Sequence, residues 1–362
     1  MHAKYWALLA LCIALGVVGC DPFHTGFDDV EPALMYEAQP LEVPSQAPSS
    51  LKVMTWNVKF GGGRIDFFFD CFGERVLMSS EEVEGNIAAI AAVVRDVDPD
   101  VLLVQEIDIN SRRGDFLDQL QLLLDSTALN YAAYGSQWRA DYVPSDGLGA
   151  IDSGSATLSR WPLDAAERVA LPLRTDQDGL TRYFYLRRNF LRSRLTLPGG
   201  TQLWIVNIHT DAYGKDGTKQ AQIDLFYEEL MRLAEAGNQV IGGGDLNTIP
   251  PGSTDTGDFP DSICEDEEFV ADDYAEQLDW LNYLYDAFAP AISLDAYGGD
   301  NSAHYTHTVD GGGFWNRKLD YLFTNGTWVS GSGRTLQSVS QGGYETMPLS
   351  DHAPVVAEME LP

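Results

Sequence analysis

Leu349-Ser350-Asp351-His352-Ala353-Pro354-Val355, near the end of this 362-residue chain, sets a polar Ser-Asp-His beside an apolar, strand-like run. It does not stand alone. Upstream lie Thr55-Trp56-Asn57, Val104-Gln105-Glu106, Val206-Asn207-Ile208-His209, Gly243-Gly244-Asp245-Leu246-Asn247 and Lys318-Leu319-Asp320-Tyr321-Leu322. Each reads as a polar cluster following an apolar run, the pattern of a buried strand that delivers its last residues to a sheet edge. Six such strands would gather Asn57, Glu106, His209, Asp245, Asn247, Asp320, Asp351 and His352 into one carboxylate-rich pocket with two imidazoles. Oxygen donors of this kind suit Mg²⁺, and imidazoles suit a charged phosphate. Taken singly, Asn57 or Asp320 reads as readily as a cap or turn residue, and His209 as a satisfied core histidine.

The order and wording of all six clusters resemble the endonuclease/exonuclease/phosphatase superfamily across roughly residues 51 to 362. The resemblance implies an α/β fold of the α+β type, a four-layer αββα sandwich of two mixed sheets flanked by helices. The pattern of elements alone gives only a mixed α/β protein. It also implies a metal-dependent hydrolase of phosphoric ester bonds. Glu106 is the first choice of metal ligand because a strand-end carboxylate is a hard oxygen donor. Asn57 and Asp351 match family positions beside the metal, expected to be Mg²⁺ with Mn²⁺ or Ca²⁺ as alternatives. Asp245 matches the residue that orients or deprotonates water, and Asn247 steadies it and the phosphate. Asp320 matches the acid that hydrogen-bonds His352 and favours its protonated form. His209 would face the phosphate from the other side, with no carboxylate partner evident. Arg160, in Leu158-Ser159-Arg160-Trp161-Pro162, reads as a support of the site or as a substrate contact.

Composition narrows the substrate. Lys and Arg number 23 against 54 Asp and Glu, a formal net charge of −31. Such a field repels polyanions and argues against an efficient general nuclease. The loop Asp66-Phe67-Phe68-Phe69-Asp70-Cys71-Phe72 follows the Asn57 cluster, and its aromatic side chains would either enter a lipid surface or pack on the protein. The expected substrate is therefore a lipid or small-molecule phosphodiester. An extracellular DNA or RNA endonuclease is the alternative, and a non-catalytic binding lipoprotein the second. His304 and His307 lack a third ligand at zinc-like spacing. The acidic stretch from 250 to 275 lacks the ligand and glycine pattern of a Ca²⁺ loop and reads as a solvated insertion.

Residues 1 to 20 read as a targeting segment: an apolar run from Tyr5 to Val18, too short for a comfortable span, ends in Val17-Val18-Gly19-Cys20. It resembles a bacterial lipoprotein signal with lipid attached at Cys20, which would place the exported protein on a membrane of the cell envelope. A plain secretory signal or an uncleaved anchor are the alternatives. Residues 21 to 50, rich in Pro and Ser, read as an extended tether, leaving 51 to 362 as the catalytic domain. Cys71 and Cys264 would remain to form one disulfide or two free thiols. Helices are expected over Glu82 to Val97, Asp115 to Leu124 and Gln220 to Ala236.

Overall fold

The computed structural model describes residues 21–70, 73–262, 273–309, 314–339 and 344–361. The chain opens with strands β1 (Val30–Pro32), β2 (Leu34–Glu37) and β3 (Ser50–Asn57), then helix α1 (Ser80–Val97) and strand β4 (Val101–Asp108). Helix α2 (Gln119–Asp125) leads to β5 (Tyr131–Val143), β6 (Gly149–Ser159) and β7 (Leu163–Ala170). Helix α3 (Gly179–Phe184) precedes β8 (Asn189–Thr196) and β9 (Gln202–His209), and α4 (Thr218–Glu235) precedes β10 (Gln239–Asp245). The last part holds α5 (Asn282–Ala287), β11 (Ala289–Pro290), α6 (Leu294–Gly299), β12 (Asp320–Thr324), β13 (Arg334–Thr335) and β14 (Val355–Glu360).

The described strands form two seven-stranded sheets, ordered β1-β7-β8-β9-β10-β12-β11 and β13-β14-β3-β4-β6-β5-β2. Both are mixed: β3–β4 and β9–β10 pair parallel, the neighbours antiparallel. Strand alternation sorts the side chains into layers. Leu51 and Val53 of β3 meet Leu203 and Ile205 of β9 between the sheets. Met54 and Trp56 face outward onto α1, and Val206 and Ile208 face outward onto α4. The expected αββα sandwich is what forms.

Helix α1 shows why the local sequence holds. Ser79 caps it, accepting from the Glu82 N–H while the Glu82 carboxylate returns to the Ser79 N–H, a pairing worth about 1 kcal/mol. Val83, Ile87, Ile90, Ala91 and Val94 bury one face, and Asp98 ends the helix in the left-handed region. The second helix is shorter than expected, because Asp118 caps it by accepting from the Gln121 N–H.

Residues 21 to 50 are not a free tether. Strand β1 pairs with β7 and β2 with β5, so the segment supplies an edge to each sheet. Proline is compatible with such a role because an edge strand leaves one row of N–H groups unpaired. Trp161 Nε1 also donates to the Pro44 carbonyl. Residues 1–20, with Cys20, and both cysteines of the expected disulfide, Cys71 and Cys264, lie outside the described residues, as do residues 263–272 of the acidic insertion.

Candidate active site

The site lies at one end of the space between the sheets, and strand direction decides which residues reach it. Strands β3, β9 and β10 end there, at Asn57, His209 and Asp245, and β4 ends beside them. Strand β12 runs antiparallel to β10, with Asp320 opposite Asp245. Asp320 therefore begins a strand instead of ending one, and Asp351 and His352 likewise precede β14. The expectation that every cluster follows its apolar run holds for four of the six.

Parity does the aiming. Asn57, His209, Asp245 and Asp320 each share the inward parity of the interlayer residues on their strands. Glu106 does not, since Leu102 and Val104 on its parity face α1. A register shift between Val104 and Ile107, with Glu106 at φ 55°, turns its side chain to the site. A β-bulge re-aims a side chain in this way. Beneath, Gln105 and Asn207 meet across the sheets, Nε2 to Oδ1 at 2.7 Å. Gly244, at φ 135°, leaves room here, for a Cβ there would stand 3.1 Å from Gln105 Nε2 and 1.9 Å from the carbonyl of its in-sheet neighbour Ile208.

The side chains converge on Asp245. Its Oδ2 lies 3.1 Å from Asn57 Nδ2, 3.4 Å from His209 Nε2 and 3.6 Å from His352 Nε2. Its Oδ1 accepts from the Asn247 N–H at 2.9 Å, and Asn247 holds φ 45° while its amide donates to the Thr210 carbonyl. Burial raises the Asp245 carboxyl above the ordinary range, although the His352 cation opposes it. His352 Nδ1 sits 2.8 Å from Asp320 Oδ2. Burial disfavours charge on this ring, but Asp320, Asp245 and Asp351 outweigh it and push its pKa up to about 10.

His209 is the opposite case. Its Nδ1 accepts from Arg188 Nη1 at 2.8 Å, and burial together with that guanidinium drives its pKa well below the usual value. The ring is neutral and carries its proton on Nε2, directed at Asp245 and, 3.8 Å away, Glu106. Arg188 is buried, bonds Gln137 Oε1 at 3.1 Å, leaves Nε without a partner, and among the described residues has no carboxylate mate. The sequence reading passed over it. A signal exists, for Arg187-Arg188 stand just before the start of strand β8, much as Asp320 stands at the start of β12.

Glu106 and Asp351 form the site's other edge. Burial and the Asp351 charge raise the Glu106 carboxyl, whereas Lys59, 3.9 Å away, and His352 hold Asp351 low against its burial. Two mutually repelling carboxylates at a cavity wall fit a hard divalent cation. Asn57 fits less simply: its Oδ1 accepts from the Lys59 N–H, and its amide nitrogen ties Glu106 (3.2 Å) to Asp245. Its nitrogen is thus a donor linking the two carboxylates, and its oxygen keeps one acceptor site beside the expected metal position. His307 also belongs to the wall, its ring 4.5 Å from that of His352, while His304 stays half-buried with its Nδ1 unpartnered. Arg160 is remote, binding Asp98, Asp100 and the Pro99 carbonyl where β4 begins, so its role is structural.

The sequence profile of the Endonuclease/Exonuclease/phosphatase family matches residues 54–352. The chain belongs to that family. Its members hydrolyse phosphoester bonds with a divalent metal, which agrees with the carboxylates assembled here. The fold is shared with an endonuclease/exonuclease/phosphatase from Beutenbergia cavernae DSM 12333 at 19% identity, covering 87% of this chain and 72% of that one, TM-score 0.58. A functionally unknown conserved protein from Enterococcus faecalis V583 aligns at 16% identity over 85% of this chain and 99% of its own, TM-score 0.52. The human Nocturnin catalytic domain with bound sulfate aligns at 15% identity over 90% and 97%, TM-score 0.50. A search among curated protein sequences finds no match.

Proposed function

We propose that this family member is an exported, metal-dependent phosphodiesterase whose substrate carries an apolar group, a lipid or a small molecule. One observation carries the reading. A single cavity of about 580 Å³ has Glu106, His209, Asp245, Asp351 and His352 at one end and Phe68, Phe69, Val143, Leu148 and Phe184 along its flank. The phosphate belongs with the first group and an apolar substituent with the second. The net charge of −31 further disfavours a polyanionic substrate.

Glu106 and Asp351 would hold the divalent ion, which supplies charge neutralisation to the phosphate and the departing oxygen. Asp245, kept in place by the Asn247 and Asn57 N–H groups, takes the proton of the attacking water. His352, a fixed cation, donates to a non-bridging oxygen as negative charge gathers there. His209 offers its Nε2–H to the same charge from the opposite side, with Arg188 behind it.

The test offers the full-length protein in detergent bis-nitrophenyl phosphate, nitrophenyl phosphate, a short-chain phospholipid and plasmid DNA, with Mg²⁺, Mn²⁺ or Ca²⁺. The apolar diesters should turn over fastest, and chelator should abolish activity. Glu106→Gln should raise the metal concentration for half-maximal rate by on the order of 100-fold. Preference for DNA, or full activity in excess chelator, would overturn the reading.

A further inference from the structure

The first described residues of the chain are docked on the wall of the active-site cavity. The Asp21 carboxylate accepts from the Tyr183 hydroxyl, and the Phe23 N–H donates to the same oxygen at 3.3 Å. The Phe23 ring lies 5.5 Å from Phe184 and 6.5 Å from Tyr142, and the Asp141 N–H donates to the Phe23 carbonyl at 2.9 Å. His24 Nδ1 pairs with Asp141 at 2.6 Å. Both supports of this contact adjoin the cavity, since Val143 to Ser145, Leu180, Thr181 and Phe184 to Leu186 are among its walls. Asp21 is thus held by Tyr183, the chain neighbour of the wall residue Phe184, and Cys20 is one peptide unit, about 3.8 Å between Cα atoms, from it.

That rim is apolar and open. Leu180 is 70% exposed, Tyr213 54% and Phe69 42%, and all three line the cavity. Tyr142, in contact with Phe23, is 48% exposed. Large apolar side chains clustered around a mouth mark a surface that meets something apolar. Their chain neighbour is the apolar run from Tyr5 to Val18 that ends at Cys20. No helix among the described residues is long and apolar enough to cross a membrane.

We propose that the rim formed by Phe69, Leu180 and Tyr213, with the adjoining Tyr142, lies on the bilayer that holds the N-terminus, so that the cavity opens onto the membrane and takes a phosphodiester amphiphile from it. This rests on the reading of residues 1 to 20 as a membrane-attachment segment, and it holds for lipid on Cys20 or for an uncleaved anchor. With 21 to 50 folded into the sheets, no slack separates the attachment point from the rim, and the domain has one face to present. The field of a chain with net charge −31 is repelled by anionic headgroups, so the surface is that of a zwitterionic phospholipid. Attachment beside the site converts a search in solution into one across a surface, which raises the effective concentration of an embedded substrate.

Two forms of the full-length protein, both reconstituted in phosphatidylcholine vesicles, test this. One is native; the other carries a flexible Gly/Ser linker of about 30 residues between Cys20 and Asp21, with a span of about 30 Å. Amide hydrogen exchange over 142–148 and 179–186 should be roughly tenfold slower in the native form, while the turn at 235–238, at the opposite end of β10, exchanges alike in both. Equal exchange at the rim, or protection at 235–238, would overturn the proposal. The linker should also slow hydrolysis of a vesicle-embedded phosphodiester about tenfold or more and leave bis-nitrophenyl phosphate hydrolysis unchanged. If no diester is hydrolysed at all, the catalytic reading fails while the exchange result still decides the orientation.

Discussion

The two histidines whose Nε2 atoms approach Asp245 differ in charge, one cationic and one neutral. His352 leans on the Asp320 carboxylate and stays protonated to about pH 10, whereas His209 leans on the Arg188 guanidinium and is held neutral. Burial penalises the cation in both rings, so burial does not separate them. The partner at Nδ1 does. One side of the site therefore keeps its positive charge on a histidine, and the other keeps it one residue further back, on an arginine.

The sharpest way to break this comparison is the His352 side. His352→Ala and Asp320→Ala should each lower turnover on the order of 10²–10³-fold at saturating metal, with binding of substrate changed much less. The double variant should cost little more than either single one, because the pair acts as a unit. Fully multiplicative losses would separate the two residues.

The Arg188 side should respond more weakly. Arg188→Ala should cost about 10–100-fold, since the lost charge acts through the neutral His209 as well as directly. Arg188→Lys should recover part of the rate, and added guanidinium should rescue Arg188→Ala but not His352→Ala. Absence of rescue would make Arg188 a packing residue only.

Lys318 sharpens the contrast with the smallest effect on catalysis. It is buried two residues before Asp320, donates to the Asp320 carbonyl at 2.6 Å, and burial lowers its pKa to about 7 although Asp320 opposes this. The unfolded chain, with an ordinary lysine, then binds the proton between about pH 7 and 10.5 where the folded one does not. Lys318 thus contributes a rise in stability of about 1–3 kcal/mol through that window, set against the fall contributed by His352, which binds its proton only in the folded chain up to about pH 10. Lys318→Met should remove that contribution, so that stability falls more steeply with pH above about 7, while changing turnover no more than a few-fold, as pH-dependent chemical denaturation and rate assays will read. An unchanged pH slope would show the amine charged in the native state.

Much of this was legible because strands announce themselves locally. The runs before Asn57, His209 and Asp245 alternate between two buried faces, and parity then fixes which of their polar residues point inward. Glu106 was legible as a residue but not as a direction, since its parity points to the helix layer and only the bulge at Val104 to Ile107 corrects it. The place of Asn57 beside the expected metal was legible by position, whereas its orientation depends on the Lys59 N–H that binds its oxygen.

The sequence by itself determined the layers, the six polar clusters and the charge that disfavours nucleic acid. These depend on composition and on periods of two and 3.6, which act between near neighbours. The tertiary structure decided which charge each histidine bears, that Arg188 stands behind His209, and that residues 21 to 50 add an edge strand to each sheet and dock Asp21 on Tyr183. Those outcomes depend on contacts between segments 21 to about 160 residues apart, such as Arg188 with His209 and Asp21 with Tyr183. No local period encodes them, because the partner of a buried group is whichever side chain the packed sheets set beside it.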